Sequence, residues 1–445
     1  VSQTYTRRRI LQSSAWAGIS MLTVPNIVKS AAANEKLRFA CIGVGGQAGR
    51  GVGVGFGQHL VAVAEVDTRR NGDQLDGIKN RSPDTKVYTD FRELFDKHQD
   101  LDAVWVGTPD HTHFSATARA LQLGAGVYCE KPLTWSMGEA RELGRLAAEK
   151  KVPTQMGNQG HSSEGIRLIV EYLRGGGLGA VTEVNASSSK KWGGGQYRDK
   201  PKPDGLDWEA WLGPAAGIPF KAGLHPRDWR KFLDYGTGTL GDMGIHTMDA
   251  AVWGLKLHEA ESFEVEAMQG KPTAPGHPVN AEVHWYFPAR GDMPPVKLTW
   301  HQGKISPEFP PAVAGEKVMG MASDGAFYRG EKGYMVSNSH CTAVRLVPEA
   351  FQKEVGKPEQ LIPRVGRHEG DWLRAFREPD GPLPSSHFGY SGPLTEVVNA
   401  GVVAWRVGEK LTYDMKAGRF TNSDEANALI WRKPREGWTD GYPTV

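Results

Sequence analysis

The chain has 445 residues, with 53 Lys and Arg against 51 Asp and Glu. That length allows two compact domains with their own cores. The interspersed charge signs, with no like-charge block, give no footprint for nucleic acid. Three cysteines, Cys41, Cys129 and Cys341, are too few and too odd for a disulfide framework.

Residues 1–33 read as an export signal rather than as fold. Thr6-Arg7-Arg8-Arg9-Ile10-Leu11-Gln12 resembles the twin-arginine pattern, with Arg7 and Arg8 as the pair. A modestly apolar stretch follows over 13–28, and Ala31-Ala32-Ala33 offers a small-residue cleavage site before Asn34. A periplasmic or otherwise exported location is expected. Without this segment Lys and Arg fall from 53 to 49 against 51 acids, a balance of −2, so the basic excess belongs to the signal. No other run is long and apolar enough to span a bilayer.

Residues 34–160 alternate short apolar strands with helices, which predicts a parallel sheet of the Rossmann type. Strands are expected at 37–42, 60–66, 103–106, 127–129 and 154–156. Asp90 with Glu93 and Ser136 with Glu139 have capping-box spacing at helix starts. The turn after the first strand, Gly43-Val44-Gly45-Gly46-Gln47-Ala48, fits G-x-G-x-x-A and opens a helix, where glycines admit a pyrophosphate and the helix N-terminus supplies free N–H groups. Asp67 falls at the spacing for a carboxylate on a ribose 2′-hydroxyl, which favours NAD. NADP stays open because Arg69 and Arg70 follow and could hold a 2′-phosphate.

Two polar segments sit at predicted strand ends, where a doubly wound sheet binds its ligands. They are Gly107-Thr108-Pro109-Asp110-His111-Thr112-His113 and Cys129-Glu130-Lys131-Pro132. Together with Ile42-Gly43-Val44-Gly45-Gly46 and Gly238-Thr239-Leu240-Gly241-Asp242-Met243-Gly244-Ile245-His246, they resemble the glucose-fructose oxidoreductase, inositol dehydrogenase and rhizopine-catabolism (Gfo/Idh/MocA) family. The Trp-rich stretch Leu206-Asp207-Trp208-Glu209-Ala210-Trp211-Leu212-Gly213-Pro214 is similar to an insertion in secreted bacterial members. The resemblance implies an α/β protein: an N-terminal Rossmann dinucleotide-binding domain, then an α+β domain over 161–445 with a large, mostly antiparallel open sheet. Alternating segments at 181–187, 263–268, 281–287 and 296–300 support that sheet independently. Its outer face is expected to be apolar, and to pair copies into a homodimer or homotetramer. The C-terminal segment is expected to pack back on the Rossmann domain.

Oxidising a secondary alcohol needs a base, a group to hold the developing alkoxide and a fixed hydride acceptor. Lys131, Asp242 and His246 are the expected catalytic residues. Asp242 and His246 are four apart at the start of a predicted helix, so both can face one cleft. His246 is the better acid–base group by its ordinary pKa, and Lys131 would hydrogen-bond the reacting oxygen. Which of the two carries the proton is left open. Cofactor contacts are expected from Gly43, Val44, Gly45, Gly46, Asp67, Thr108, Pro109, His111, His113, Glu130, Lys131 and Asn158. Substrate contacts are expected from Lys131, Gln159, Tyr197, Arg227, Trp229, Arg230, Asp242 and His246. No metal is expected, since His111 and His113 have no acidic or cysteine partner at ligand spacing.

The function expected is an NAD(P)-dependent oxidoreductase on a secondary hydroxyl of a sugar or polyol. Export leaves little free nicotinamide to exchange with, so a tightly held cofactor is expected. Two other readings share the scaffold: a redox-neutral glycoside hydrolase or lyase using NAD transiently, and an inactive sugar-binding protein. In several such hydrolases the Glu-Lys-Pro triplet is altered, whereas Glu130-Lys131-Pro132 is intact.

Overall fold

A computed structural model describes residues 35–317 and 319–442; the export signal expected over 1–33 lies outside the described residues. Six parallel strands form the first sheet: β1 (Arg38–Ile42), β2 (His59–Ala64), β3 (Lys86–Tyr88), β4 (Ala103–Val106), β5 (Gly126–Cys129) and β6 (Thr154–Met156), in the order β3-β2-β1-β4-β5-β6. Helices on both faces bury it, so β4 and β5 are apolar at every position and wholly buried. β3 is the strand without a readable signal: it is three residues long, at the edge, and none of the three is buried.

The helix α1 (Gly49–Gly55) follows the glycine turn, and α2 (Asp110–Gln122) follows β4. The helix α3 (Met137–Lys150) starts on a full capping box, with Ser136 accepting from Glu139 N–H and Glu139 accepting from Ser136 N–H. The expected box at Asp90 is not reciprocal. Asp90 accepts from the backbone N–H of Arg92 at 2.8 Å instead, one residue early, and its carboxylate also pairs with the Arg92 guanidinium.

The second sheet has nine strands: β7 (Val181–Ser188), β8 (Ser262–Gln269), β9 (Ala281–Phe287), β10 (Val296–Gln302), β11 (Gly325–Gly330), β12 (Tyr334–Asn338), β13 (Val344–Val347), β14 (Leu411–Asp414) and β15 (Arg419–Phe420). Their order is β13-β12-β11-β7-β10-β9-β8-β14-β15, antiparallel except where β7 lies parallel to β10. One face carries Val184, Ala186, Val283, Trp285, Leu298 and Trp300, all fully buried. Two further helices complete the core, α4 (His368–Arg377) and the long α5 (Phe388–Val407). Trp285 donates its indole N–H to the carbonyl of Val397 in α5, which fixes that helix under the sheet.

The other face of the sheet departs from expectation. Register puts Glu183, Asn185, Glu264, Glu266, Glu282, His284, Tyr286, Lys297, Thr299 and His301 on it. Its apolar residues Phe327 and Val336 are covered by Phe309, Val313 and Ala322 of the same chain. The strands therefore present a polar ladder where a bare apolar stripe was expected, and the hydrophobic argument for pairing copies there falls away.

The chain beyond residue 160 is not confined to the second sheet. In α4, Trp372 packs its ring edge on Phe39, Trp105 and Tyr128 of the first sheet. Near the C-terminus Tyr442 packs on Phe114 of α2. Among the described residues no helix is long and apolar enough to cross a membrane.

Candidate active site

The glycine turn after β1 is built by close approach. Gly43 has φ +87°, and a Cβ on it would lie 3.1 Å from the carbonyl oxygen of Gly107, the residue after β4. A Cβ on Gly107 would in turn meet the Cβ of Ala48 at 2.6 Å. Only glycine lets the two strand ends meet this closely, and Gly46, at φ +55°, faces open space. These turns border a cleft of about 510 Å³ that runs from Glu65 at the end of β2 to Lys131 at the end of β5.

The carboxylate facing that cleft is Glu65, not Asp67. Glu65 accepts the backbone N–H of Val44 at 3.1 Å and that of Asp67 at 2.9 Å. Asp67 turns away: His225 Nε2 lies 2.8 Å from its carboxylate, and the Arg70 N–H donates to it at 2.9 Å. Glu65, two residues before the expected Asp67, is therefore the carboxylate that lines the cleft at this edge. Because β2 ends at Ala64, Glu65 is the first side chain past the strand, whereas the strand expected over 60–66 put Asp67 there. Val44 contributes through its backbone, its side chain being fully buried.

Thr108 and Pro109 line the cleft as expected, and the buried Thr108 hydroxyl has no partner there. His111 and His113 do not reach it. Both rings are buried between carbonyl oxygens: His111 between Trp211 at 2.8 Å and Tyr235 at 3.1 Å, His113 between Pro132 at 2.7 Å and Thr108 at 2.8 Å. They tie together the loops that form the cleft. Asp110, missed in the sequence, accepts from the N–H and hydroxyl of Thr237, and burial pushes its carboxyl up to about 7.

Lys131, Asp242 and Glu130 form the charged end. Lys131 Nζ lies 2.6 Å from Asp242 Oδ1 and 2.8 Å from the Asp242 carbonyl oxygen. Arg230 Nε lies 3.3 Å from the same Oδ1, and the Trp192 indole N–H donates to Oδ2 at 2.8 Å. Burial alone would raise the Asp242 carboxyl, but Lys131 and Arg230 hold it well below the usual carboxylate range. Glu130 is buried with Oε1 unpartnered, and burial pushes it up to about 8 against the pull of Lys131 and Arg50.

Asp242 sits in a turn of π-helix, Leu240–Gly244, which runs into Ile245–Thr247 carrying His246. The expected regular helix is thus widened at the residue that holds Lys131. His246 is buried with Nδ1 unpartnered, its ring 4.5 Å from that of His340. Burial, then Lys131 and His340, push its pKa well below the ordinary histidine value, so the expected near-neutral titration is replaced by a ring that stays neutral. Trp192 and His340 had not been singled out. Trp192 leads the glycine run Gly193-Gly194-Gly195, an aromatic beside permissive backbone, which was a usable signal; His340 had none.

Three expected ligands lie elsewhere. Asn158 is fully buried, donating to Asp249 at 2.8 Å and accepting from Ser386 at 2.7 Å. Gln159 donates to the Tyr128 hydroxyl at 3.1 Å, behind Glu130. Tyr197 stacks on Phe232 at 5.0 Å within the insertion's own core. Arg227, Trp229 and Arg230 do line the cleft.

A glycine cradle, an unpartnered threonine hydroxyl and a carboxylate at the end of β2 together fit a dinucleotide. The profile of the Gfo/Idh/MocA "oxidoreductase family, NAD-binding Rossmann fold" matches residues 37–158, and that of the family's C-terminal alpha/beta domain matches residues 178–280. The chain belongs to the Gfo/Idh/MocA oxidoreductase family. Its first domain is therefore the NAD-binding domain of that family, and the second profile spans both Asp242 and His246. An uncharacterized oxidoreductase of Schizosaccharomyces pombe is 24% identical over 48% of this chain and 49% of its own length. An inositol 2-dehydrogenase of Rubrobacter xylanophilus is 34% identical over 25% of this chain and 31% of its own. The chain thus matches about half or less of the length of these curated relatives. The aldose-aldose oxidoreductase of Caulobacter crescentus, solved with glycerol, shares the fold with a TM-score of 0.56 at 19% identity, covering 85% of this chain and 100% of that one.

In this Gfo/Idh/MocA protein the second domain also roofs the cleft. The Asp207 N–H donates to the Val66 carbonyl at 2.8 Å, and the Thr68 N–H to that of Gly205 at 3.0 Å, so the insertion is laced to the chain just past β2. The contact of His225 with Asp67 fastens the same edge. Trp211 and His225 then face the glycine turn across one cleft.

Proposed function

We propose that the protein is an NAD-dependent oxidoreductase acting on a secondary hydroxyl of a sugar or polyol. The observation that carries this reading is the ammonium of Lys131, held by Asp242 at the end of the dinucleotide cleft. Asp242 takes two of its three hydrogens, which leaves one for a substrate oxygen. Lys131 thereby polarises that oxygen and stabilises negative charge developing on it. His246, neutral because it is buried, accepts the hydroxyl proton. A nicotinamide, when bound, supplies the hydride acceptor. Glu65 at the ribose position favours a free 2′-hydroxyl, and so NAD over NADP.

The laced roof over the cleft supports a cofactor that stays bound through many turnovers. We further infer export by the twin-arginine segment, in a protein that folds before it moves. Three buried, unpaired thiols, Cys41, Cys129 and Cys341, suit folding in a reducing compartment.

The test begins with the purified folded protein, denatured to release nicotinamide for absorbance, and then assayed on free sugars and aryl glycosides. Co-purified nicotinamide and a sugar-dependent change in its redox state are expected. Release of the aryl group without net reduction would overturn the oxidoreductase in favour of the redox-neutral hydrolase. An absence of nicotinamide, with no reaction on added NAD, would favour a binding protein.

A further inference from the structure

Four cations gather around the Asp242 carboxylate. Its Oδ1 already meets Lys131 at 2.6 Å and Arg230 at 3.3 Å, and its Oδ2 meets the Trp192 indole at 2.8 Å. Arg227 has no carboxylate within 4.0 Å among the described residues; its guanidinium instead lies 5.1 Å from the ring centre of Trp192. Arg230 lies 5.6 Å from the same ring and 4.1 Å from that of Trp229. Lys190 adds a fourth positive charge to this end, where it and Lys131 both act on His340. Of the other nearby acids, Asp110 and Glu130 are buried, which pushes their carboxyls up to about 7 and about 8, Asp324 accepts the Ser189 N–H at 3.0 Å, and Asp228 pairs with Lys231 at 2.8 Å.

Two guanidiniums flank one indole, then, and both line the cleft. A cofactor diphosphate does not account for them. Its place is the turn at Gly45 and Gly46 and the helix start beyond, whereas Arg230 is anchored on the carboxylate that anchors Lys131. A neutral sugar would leave Arg227 without a carboxylate and Arg230 sharing one with Lys131, while an oxyanion fits their paired N–H groups.

We propose that the sugar taken by this site carries an anionic group, a carboxylate or a phosphate ester, bound by Arg227 and Arg230 beside Trp192. The proposal rests on the oxidoreductase reading of the same cleft. The indole supplies a face for the ring, and Lys131 receives the hydroxyl to be oxidised.

The test uses the cofactor-loaded protein and sets of one sugar in three forms: neutral hexose, hexuronate and hexose 6-phosphate. Calorimetry measures binding, and turnover is followed separately. One anionic form is expected to bind at least 30-fold more tightly than the hexose, with affinity falling as salt rises, and the tighter of the two names the group. Arg227→Gln and Arg230→Gln are each expected to cut that preference tenfold or more while bound nicotinamide per protein stays constant. Equal or tighter binding of the neutral hexose overturns the proposal, and its turnover would leave the oxidoreductase reading standing. Loss of nicotinamide in the variants with the preference intact assigns the arginines to the cofactor and also overturns it. Tight binding of an anionic sugar without any change in nicotinamide redox state supports the anion site and sinks the oxidoreductase. If the variants fail to fold, the preference and salt dependence of the unaltered protein decide.

Discussion

Lys131 Nζ and Asp242 meet twice, at the carboxylate and at the backbone carbonyl, 2.6 and 2.8 Å away. The first residue belongs to the Rossmann domain and the second to the sheet domain, so this pair is both a charge contact and a joint between domains. Positioning and polarisation of the reacting oxygen are thereby coupled.

Lys131→Met removes the donor to the reacting oxygen, and kcat should fall by about a thousandfold, on the order of 4 kcal/mol. Bound nicotinamide per protein should be unchanged. Asp242→Asn should cost less, since it keeps the lysine and the carbonyl that anchors it while withdrawing the counter-charge. Steady-state kinetics of the two variants check the order, and an equal or larger loss in Asp242→Asn would refute it.

Glu130 should make stability depend on pH in an unusual direction. Its carboxyl is raised to about 8 by burial, so between the ordinary Glu range and that value the folded chain holds a proton that the unfolded chain lacks. Stability is then full below about pH 4 and falls between pH 5 and pH 8 by up to about 1.4 kcal/mol per pH unit. Glu130→Gln in cofactor-free protein should flatten that slope and raise stability at pH 8. Urea titrations at both values check it, and parallel curves for the two proteins would refute it.

Gly51 and Gly53 are neighbours in α1 with opposite surroundings. A Cβ on Gly51 would sit 2.3 Å from the fully buried Trp105, whose ring is stacked 3.7 Å from that of Tyr128. Gly51→Ala should destabilise by about 1–3 kcal/mol. Gly53 meets nothing within 4 Å, and Gly53→Ala should stabilise by up to about 1 kcal/mol. Calorimetric Tm values of the two variants should move in opposite directions.

His225→Ala cuts the fastening of the insertion to Asp67. Nicotinamide should leave the variant at least tenfold faster than the unaltered protein, measured by trapping released cofactor after dilution. An unchanged release rate would remove this contact from the account of retention.

Most of the first sheet was legible because strands buried on both faces are continuous apolar runs, as at β4 and β5. The strand β3 was not, since an exposed edge strand of Lys86, Val87 and Tyr88 has no such run. At the site, Lys131, Asp242 and His246 came from motif order, but the pKa of His246 depends on burial and on the charges of Lys131 and His340, which are distant in sequence. Glu65 and Asp67 differ by where β2 stops, a boundary that composition does not mark. The alternation that defines the second sheet was readable; the identity of its covered side was not, because Phe309 and Val313 come from a loop without periodicity and Ala322 from a helix of five residues.

The roof has a consequence in time. In chain order the whole dinucleotide cradle, from Gly43 to Lys131, precedes the segment 205–230 that closes over it. Synthesis therefore makes the cradle first and its cover afterwards, and on the proposed retention of the cofactor a nucleotide taken up at that stage would be shut in when the cover docks at Val66 and Asp67. Each molecule would then carry a sample of the pool in which it was made, oxidised or reduced in the proportion found there, as its starting charge of electrons wherever it later acts.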